Sequence, residues 1–307
     1  MYTSRFYRRT GLSLMMSGMT AFLVSCSDTA HTSNNPSART AATPLPISTW
    51  KIPETLDFCG EAVPLDVPEV RERVEREFYV NLQTPGQIIL YIKRSGRYFP
   101  LYERVMKEMN MPTDLRFLSV AESALFMARS TKDAVGLWQF MPATARAMGL
   151  VVNDWVDERR HPEKSTRAAM KYLKSGFDSN GSWTNAAAGY NMGHTGFGEN
   201  IAYQNKKSFY DLYLNEETSR YILRIAVIKH IMLHAHDYGI IVPEDERYGR
   251  ETTRTVRVSA PVDNLAQWAL ANGSSYKDVK LLNPWILGRK LPAPASGAWE
   301  ISLPVNR

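Results

Sequence analysis

The chain has 307 residues, of which 44% are hydrophobic and 22% charged, and its net charge at pH 7 is +6. These values are typical of a globular protein with one large or two modest domains and exclude a disordered or fibrous chain. The basic excess is mild, and no dense Lys/Arg patch with interleaved aromatic residues is present, so no nucleic-acid partner is expected.

An export signal is predicted at the N-terminus. Arg5, Arg8 and Arg9 precede an apolar run over 11–25, and this order predicts a secretory signal peptide over 1–25. The run is too short for a membrane span of ~20 residues. The alternative is a cytosolic protein with an apolar N-terminus that arose by chance. Removal of 1–25 takes away three arginines and lowers the net charge to +3.

The signal ends in Leu23-Val24-Ser25-Cys26, which resembles the bacterial lipoprotein processing box. The resemblance implies cleavage before Cys26 and lipidation of that residue. The protein is therefore predicted to be anchored by lipid on the periplasmic face of a membrane. Ser27, where an aspartate would favour inner-membrane retention, indicates the outer membrane.

Cysteine and histidine usage predicts no metal site and no cofactor. If Cys26 is acylated, Cys59 is left without a disulfide partner and is predicted to be a buried thiol. His230 and His234 are spaced i, i+4 on a predicted helix, but Ile231 stands where a metalloprotease would carry glutamate.

Residues 26–58 are predicted to form a disordered tether, because Ser27 to about Thr55 is rich in Ser, Thr, Ala, Asn and Pro without apolar periodicity. From there the apolar period is helical. Helices are predicted near 67–82, from Pro85, over 99–109, 162–177, 183–191 and 216–236.

One carboxylate lies on an apolar helix face. Leu115, Leu118, Glu122 and Leu125 fall at i, i+3, i+7 and i+10 of a helix predicted to begin at Thr113. Burial disfavours the charged form of such a glutamate and raises its pKa, so that it can act as a proton donor near neutral pH. The alternative is an edge residue paired to Arg116 or Arg129.

Four segments resemble, in order, the motifs of the lytic transglycosylase (goose-lysozyme-like) family. They are Glu122-Ser123, then Gly136 to Pro142 (Gly-Leu-Trp-Gln-Phe-Met-Pro), then 188–193 (Ala-Gly-Tyr-Asn-Met-Gly), then 217–221 (Glu-Thr-Ser-Arg-Tyr). Gly189 departs from the family, which usually has alanine there, and is expected to loosen the start of a helix at that point.

The resemblance implies an all-helical, lysozyme-like catalytic domain that cleaves peptidoglycan glycan strands. Glu122 would protonate the oxygen between N-acetylmuramic acid and N-acetylglucosamine and then deprotonate the muramyl C6 hydroxyl, giving a 1,6-anhydro end. Tyr190 would hydrogen-bond Glu122, and the other predicted substrate-binding residues are Ser123, Gln139, Asn191 and Tyr221. Trp138 is predicted to be core packing below the site.

The last 57 residues, 251–307, have a different period. A strand over 253–258, helices over 264–270 and 275–282, and a strand over 299–303 are predicted. This βααβ order resembles a LysM module, although the usual Gly-Asp-Ser/Thr is missing and the segment 286–298 is longer than the family's loop. Sugar binding and a merely structural cap both remain open for this module, which is expected to be dispensable for chemistry.

The predicted fold is therefore mainly α, with a catalytic domain over 59–250 and a small α+β, LysM-like domain over 251–307. Two rival functions remain on the same scaffold. One is a hydrolytic muramidase, in which water replaces the C6 hydroxyl, and the other is a non-catalytic wall-binding lipoprotein. The sequence identifies no protein partner.

Overall fold

The structure is a computed structural model that describes residues 50–305. The predicted signal peptide over 1–25, Cys26 and the first part of the predicted tether lie outside the described residues. No helix within 50–305 combines the length and the apolar character needed to cross a membrane.

Residues 50–305 form ten α-helices and two small antiparallel strand pairs. The helices are α1 (Pro68–Leu82), α2 (Pro85–Glu108), α3 (Arg116–Ser123), α4 (Pro142–Ala147), α5 (Pro162–Asn180), α6 (Trp183–Met192), α7 (His194–Gln204), α8 (Glu216–Leu233), α9 (Leu265–Ala271) and α10 (Tyr276–Leu282). The strands are β1 (Asp57–Phe58), β2 (Glu61–Ala62), β3 (Thr253–Val258) and β4 (Trp299–Pro304). This confirms the predicted fold class, a mainly α chain that ends in a small α+β unit.

The core is built around α8. The side chain of Asn215 accepts from the Thr218 amide and caps the start of the helix. Nearly all of its positions from Tyr221 to Ile231 are buried, and it packs against α1, α2, α3 and α6. A helix buried on most of its sides has to be largely apolar, as the sequence predicts for this one.

The predicted helix break before Phe99 is wrong, because α2 runs without interruption from Pro85 to Glu108 with Pro100 in its interior. Proline at this position removes one backbone donor and normally costs a few kcal/mol. Buried side chains continue on both sides of it, with Ile88 and Ile92 before and Tyr102 and Val105 after. Packing of this single stripe offsets the lost hydrogen bond.

The catalytic-motif helix is shorter than predicted. Thr113 lies in a 3-10 turn (Thr113–Leu115) without a side-chain cap, and α3 ends at Ser123. Ala124 and Leu125 both have left-handed backbone, with φ of 54° and 55°. Leu125 is buried, but because of this backbone it does not continue the helical stripe. Glu122 lies at the end of a helix rather than in its middle.

The folded domain begins before residue 59, so the predicted tether ends too late. Leu56 and Phe58 are buried in the core, and β1 pairs with β2. The Glu61 carboxylate accepts from Ser182, Trp183 and Thr184 at the start of α6. Trp50 and Ile52, earlier in the predicted tether, also pack against this core.

The C-terminal residues have the predicted βααβ order. Strands β3 and β4 pair antiparallel in a register from Thr253↔Pro304 to Val258↔Trp299. Asn264 and Ser275 cap α9 and α10 through their side chains. The strands and helices enclose a second apolar core, which contains Leu265, Val279, Trp285, Ile286, Ile301 and Leu303.

This second core includes one residue from the helical domain. Val156 is fully buried in it and forms a β-bridge with Ile286. On either side, the Asp157 amide donates to the Trp285 carbonyl (2.9 Å) and the Leu287 amide donates to the Trp155 carbonyl (2.8 Å). A short extended segment around 155–157 is thus shared between the two parts of the chain.

Candidate active site

Glu122 lies in the last turn of α3. The Tyr221 hydroxyl on α8 donates to Glu122 Oε1 at 2.5 Å. Burial raises the pKa of this carboxyl to about 7, an effect that the Tyr221 hydrogen bond and the Arg224 charge oppose and the Glu217 charge reinforces. The side chain is partly exposed, so it can reach a substrate. The rest of it is buried, which keeps its pKa near neutral pH.

The alternative of a surface ion pair is wrong for Glu122. Arg116 pairs with Glu103, and Arg129 pairs with Asp133 at 2.8 Å. Both arginines therefore have other carboxylate partners.

Ser123 serves the backbone around the site. Its hydroxyl is buried and lies within hydrogen-bond distance of two carbonyls, Ser119 at 3.0 Å and Leu137 at 2.8 Å. These contacts fix the end of α3 against the second motif segment. Neither contact involves Glu122.

Gln139 occupies a strained loop position, with a φ of 47°. Left-handed backbone costs a non-glycine residue about 1 kcal/mol or more. The side-chain nitrogen Nε2 of Gln139 donates to the carbonyls of Gly136 (2.8 Å) and Ala128 (3.3 Å), which holds the loop in place. Among residues 50–305 no donor reaches its amide oxygen, so that atom can accept from a ligand.

Arg159 holds the loop that carries Gln139. A side chain at Gly136, whose φ is 89°, would place its Cβ 2.1 Å from the Arg159 carbonyl oxygen, so only glycine fits. The buried Arg159 guanidinium donates to the carbonyls of Asp133 (2.7 Å) and Phe140 (3.1 Å). Both ends of the loop are therefore fixed by one side chain.

The predicted hydrogen bond from Tyr190 to Glu122 is not formed. The Tyr190 hydroxyl donates instead to the Trp138 carbonyl at 2.7 Å, and Tyr221 is the residue that holds the carboxyl. Tyr190 nevertheless lies close to Glu122. Burial raises the pKa of the Tyr190 phenol most, and the charge of Glu122 raises it further. The tyrosine that holds the carboxyl is thus the fully buried Tyr221 on α8.

Asn191 and Trp138 complete the motif residues. Asn191 Oδ1 accepts from the Thr218 hydroxyl at 2.8 Å, which links α6 to α8. Trp138 is fully buried and donates from Nε1 to the Thr166 hydroxyl at 2.9 Å. Core packing for Trp138 is confirmed.

Arg224 lies near Glu122 and Tyr221, although none of the four motifs includes it. Its guanidinium lies 5.6 Å from the centre of the Tyr221 ring, and its charge lowers the pKa of Glu122. Glu217, Tyr221 and Arg224 are spaced i, i+4 and i+7, so they share one face of α8. That spacing, extended one turn beyond the fourth motif, is the signal that points to Arg224.

The described residues contain no group of three or more His, Cys, Asp or Glu side chains arranged to hold a metal ion. The rings of His230 and His234 stack at 4.5 Å, and His230 Nε2 lies 3.0 Å from the Tyr238 hydroxyl. Cys59 is a free, partly buried thiol whose pKa is raised by burial.

Residues 102–213, which include three of the four motifs, match the family model described as the transglycosylase SLT domain. The chain carries a transglycosylase SLT domain. Residues 254–307 match the model of the soluble lytic transglycosylase C-terminal LysM-like domain. The fourth motif, with Tyr221, lies just beyond the SLT match.

Two curated relatives extend the comparison. The chain is 29% identical over 255 residues to membrane-bound lytic murein transglycosylase D of Escherichia coli K12, which covers 80% of this chain and 55% of the relative. It is 36% identical over 107 residues to a putative tributyltin chloride resistance protein of Alteromonas sp. strain M-1, which covers 33% of this chain and 51% of that protein. The chain thus spans about half the length of the curated relatives it matches.

Among solved structures, an inactive mutant of lytic transglycosylase Slt from Pseudomonas aeruginosa aligns with a TM-score of 0.35 at 21% identity, covering 50% of this chain and 26% of that one. The soluble lytic transglycosylase SLT70 of Escherichia coli aligns with the same TM-score at 20% identity, covering 50% of this chain and 27% of that one.

Proposed function

We propose that the protein is a peptidoglycan lytic transglycosylase in which Glu122 acts first as general acid and then as general base. The observation that carries the proposal is the carboxyl of Glu122, partly buried, with a pKa of about 7 and held by Tyr221. It lies in a chain with an SLT domain. A group of that pKa exists in both protonation states near neutral pH, as a two-step proton transfer requires.

In the proposed reaction Glu122 donates its proton to the oxygen of the β-1,4 bond between N-acetylmuramic acid and N-acetylglucosamine. The bond from C1 to that oxygen breaks, and N-acetylglucosamine leaves as an alcohol. The Glu122 carboxylate then takes the proton of the muramyl C6 hydroxyl while that oxygen bonds to C1. The products are a 1,6-anhydromuramyl end and a regenerated acid, without consumption of water.

The remaining site residues are proposed to bind the glycan directly or to position those that do. The free amide oxygen of Gln139 would accept from an N-acetyl N–H, and Asn191 would line the cleft beside it. Tyr221 and Tyr190 hold Glu122 and the Trp138 carbonyl, respectively. Ser123 supports the site through the Leu137 carbonyl, so its contribution to substrate binding is indirect.

The decisive experiment is mass analysis of peptidoglycan digested by the wild type, Glu122→Gln and Glu217→Gln. Glycosidases that use water generally need a second carboxylate, and Glu217 is the other acid whose charge reaches Glu122. We expect anhydro ends from the wild type, none from Glu122→Gln and anhydro ends from Glu217→Gln. Reducing ends from the wild type, abolished by Glu217→Gln, would instead identify a hydrolytic muramidase.

For the whole chain we propose a signal peptide over 1–25, a lipid anchor at Cys26, a tether, an SLT domain that ends near 250 and the LysM-like domain over 251–307. The anchor would place the enzyme on the periplasmic face of the outer membrane. Detergent phase partitioning of the wild type and Cys26→Ser tests this, with only the wild type expected in the detergent phase. Aqueous partitioning of both would refute the anchor, and density-gradient separation of membranes would identify the membrane.

A further inference from the structure

Two partly buried arginines near Glu122 form no ion pair, unlike the other buried or partly buried arginines of the described residues. Within residues 50–305, the arginines that are buried or partly buried and form an ion pair are Arg73, Arg116, Arg159, Arg160, Arg167 and Arg220. Arg94 and Arg224 are partly buried too, but neither forms an ion pair in this range. Arg224 Nε is buried without a hydrogen-bond partner, as are the Nε atoms of the ion-paired Arg73, Arg116 and Arg160. Partial burial of a cation without a counter-charge is unfavourable.

Both unpaired arginines border the candidate active site. Arg224 lies over the ring of Tyr221, whose hydroxyl holds Glu122. Arg94 on α2 donates to the carbonyl of Ala124, two residues after Glu122, at 2.9 Å. The charges of both arginines act on the phenol of Tyr91, so this tyrosine lies within reach of the two guanidinium groups.

An exposed aromatic residue adjoins Arg94. The Arg94 guanidinium lies 5.5 Å from the centre of the Phe126 ring, and Phe126 is 59% exposed. An arginine packed on an aromatic ring keeps its guanidinium oriented while its outer N–H groups remain available. The arrangement therefore presents oriented donors beside the end of α3 rather than mobile surface charges.

We propose that Arg94 and Arg224 form a carboxylate-binding subsite for the substrate near Glu122. The inference rests on the proposed function, because it assigns a role to this cleft in glycan binding. Guanidinium groups bind carboxylates by charge-assisted, often bidentate hydrogen bonds. A muramyl glycan carries such carboxylates on its lactyl ether or, where a stem peptide is attached, on the peptide. The bound carboxylate would supply the counter-charge that the two arginines lack.

Binding is the appropriate readout, because Arg224 also lowers the pKa of Glu122 and its removal would change turnover indirectly. Affinity is measured with the mature chain in a Glu122→Gln background, where no cleavage occurs. The variants are Arg224→Gln, Arg224→Lys and Arg94→Gln. The control is Lys174→Gln, which removes one positive charge from an exposed pair with Asp178 on α5.

Three glycans separate the sources of the carboxylate. They are short muramyl glycans with stem peptides, the same glycans after amidase removal of the stems, and stem-free glycans whose lactyl carboxylates are converted to amides. Loss of a hydrogen bond to a charged group typically weakens binding by about 10-fold or more. We expect that loss for both Gln variants, a smaller one for Arg224→Lys and none for Lys174→Gln.

The pattern across glycans then decides the source. A loss seen with stem-free glycan and absent with its amide assigns the lactyl carboxylate, whereas a loss confined to the stem-bearing glycan assigns the peptide. Unchanged affinity in both Gln variants, or an equal loss on the amidated glycan, would overturn the proposal. If a Gln variant fails to fold, the salt dependence of binding by the Glu122→Gln protein serves instead, since it must be weaker for the amidated glycan.

This outcome is independent of the reaction itself. A protein that binds the carboxylate through these arginines but releases no anhydro product would refute the proposed function and leave the subsite standing. A protein that produces anhydro ends but shows no carboxylate preference would do the reverse.

Discussion

The proton of Glu122 is balanced between opposing neighbours on one face of α8. Burial and the charge of Glu217 favour the neutral acid, whereas Tyr221 and Arg224 favour the carboxylate. Burial dominates, and the pKa settles near 7 instead of near 4.5. A carboxyl that has to donate a proton and then accept one is served by this balance, because neither state is strongly preferred at neutral pH.

Replacement of Glu122 by glutamine should stabilise the protein, and the gain should depend on pH. The pKa is raised from 4.5 in the unfolded chain to about 7 in the folded one, so the wild type loses stability as pH rises from 4.5 to 7. The gap corresponds to about 3 kcal/mol at most above pH 7. Thermal melts should therefore show Glu122→Gln above the wild type at pH 8 and close to it at pH 4. A Gln variant less stable than the wild type at pH 8 would contradict the buried acid.

Tyr221→Phe should move the alkaline limb of the pH–activity profile upward. The Tyr221 hydroxyl lowers the pKa of Glu122, and a hydrogen bond to a charged group contributes about 1.5–3 kcal/mol, so its loss should raise that pKa by about one unit or more. The maximal rate should fall as well, because the carboxyl is no longer held. Tyr190→Phe is the matched control, since its hydroxyl bonds the Trp138 carbonyl; an equal shift in both variants would argue against this assignment.

At the candidate site, the burial of Glu122 was predictable, because a lone carboxylate among leucines stands out in the sequence and begins the first motif. Its partner was not, because Tyr221 is 99 residues away and Tyr190 is an equally good aromatic donor on paper. The left-handed backbone at Ala124, Leu125 and Gln139 was also beyond the pattern. These residue types rarely adopt that conformation and do so here because the surrounding contacts impose it.

At the scale of elements, the contact between α5 and α6 explains why glycine stands at position 189. The His194 ring enters a notch between the two helices, where a Cβ at Gly176 or at Gly189 would lie 2.3 Å from a ring atom. His194 Nε2 lies 3.0 Å from the Tyr172 carbonyl. Gly189 lies inside α6 (Trp183–Met192) rather than at its start, so the expectation of a loosened helix start is wrong. The glycine makes room for a histidine five residues later.

Gly189→Ala should destabilise the protein by about 1–3 kcal/mol, because overpacking against His194 outweighs the gain in helix propensity. In a His194→Ala background the same substitution should stabilise by up to about 1 kcal/mol, since the notch is empty and alanine is the better helix former. Denaturant unfolding of the four proteins in this double-mutant cycle measures the coupling. The same sign for Gly189→Ala in both backgrounds would rule out the notch as the cause.

Helices with a clear apolar stripe were predictable, and α1, α5, α6 and α8 begin within a residue of their predicted starts. Where the prediction fails, a local signal competes with packing. Pro100 indicated a break inside α2, which a continuous stripe overrides. The glycine-rich α7 has a single fully buried residue, Phe197, and therefore gave no stripe to detect.

At the scale of the whole molecule, the LysM-like domain is connected to the active-site loop by hydrogen bonds. The Asp157 amide is bound by Trp285 of the C-terminal domain. The Asp157 carboxylate forms a two-point pair with Arg159, with both distances 2.9 Å. Arg159 in turn holds the carbonyls of Asp133 and Phe140 on either side of Gln139. The domain that the sequence presents as a separable module thus supports the loop proposed to bind the glycan.

Truncation after Gly249 should therefore reduce both stability and activity, in contrast to the sequence-based expectation that 251–307 is dispensable. Removal of the domain exposes Val156, whose burial contributes about 2 kcal/mol, and leaves the Asp157 amide without its partner. The melting temperature should fall, and kcat/KM on soluble muropeptides should fall per folded molecule. The control is Glu300→Gln, an exposed change in β4 that keeps the domain. A truncated protein with wild-type melting temperature and kcat/KM would show that the domain is an independent cap, because the Asp157–Arg159 pair would then hold the Gln139 loop without it.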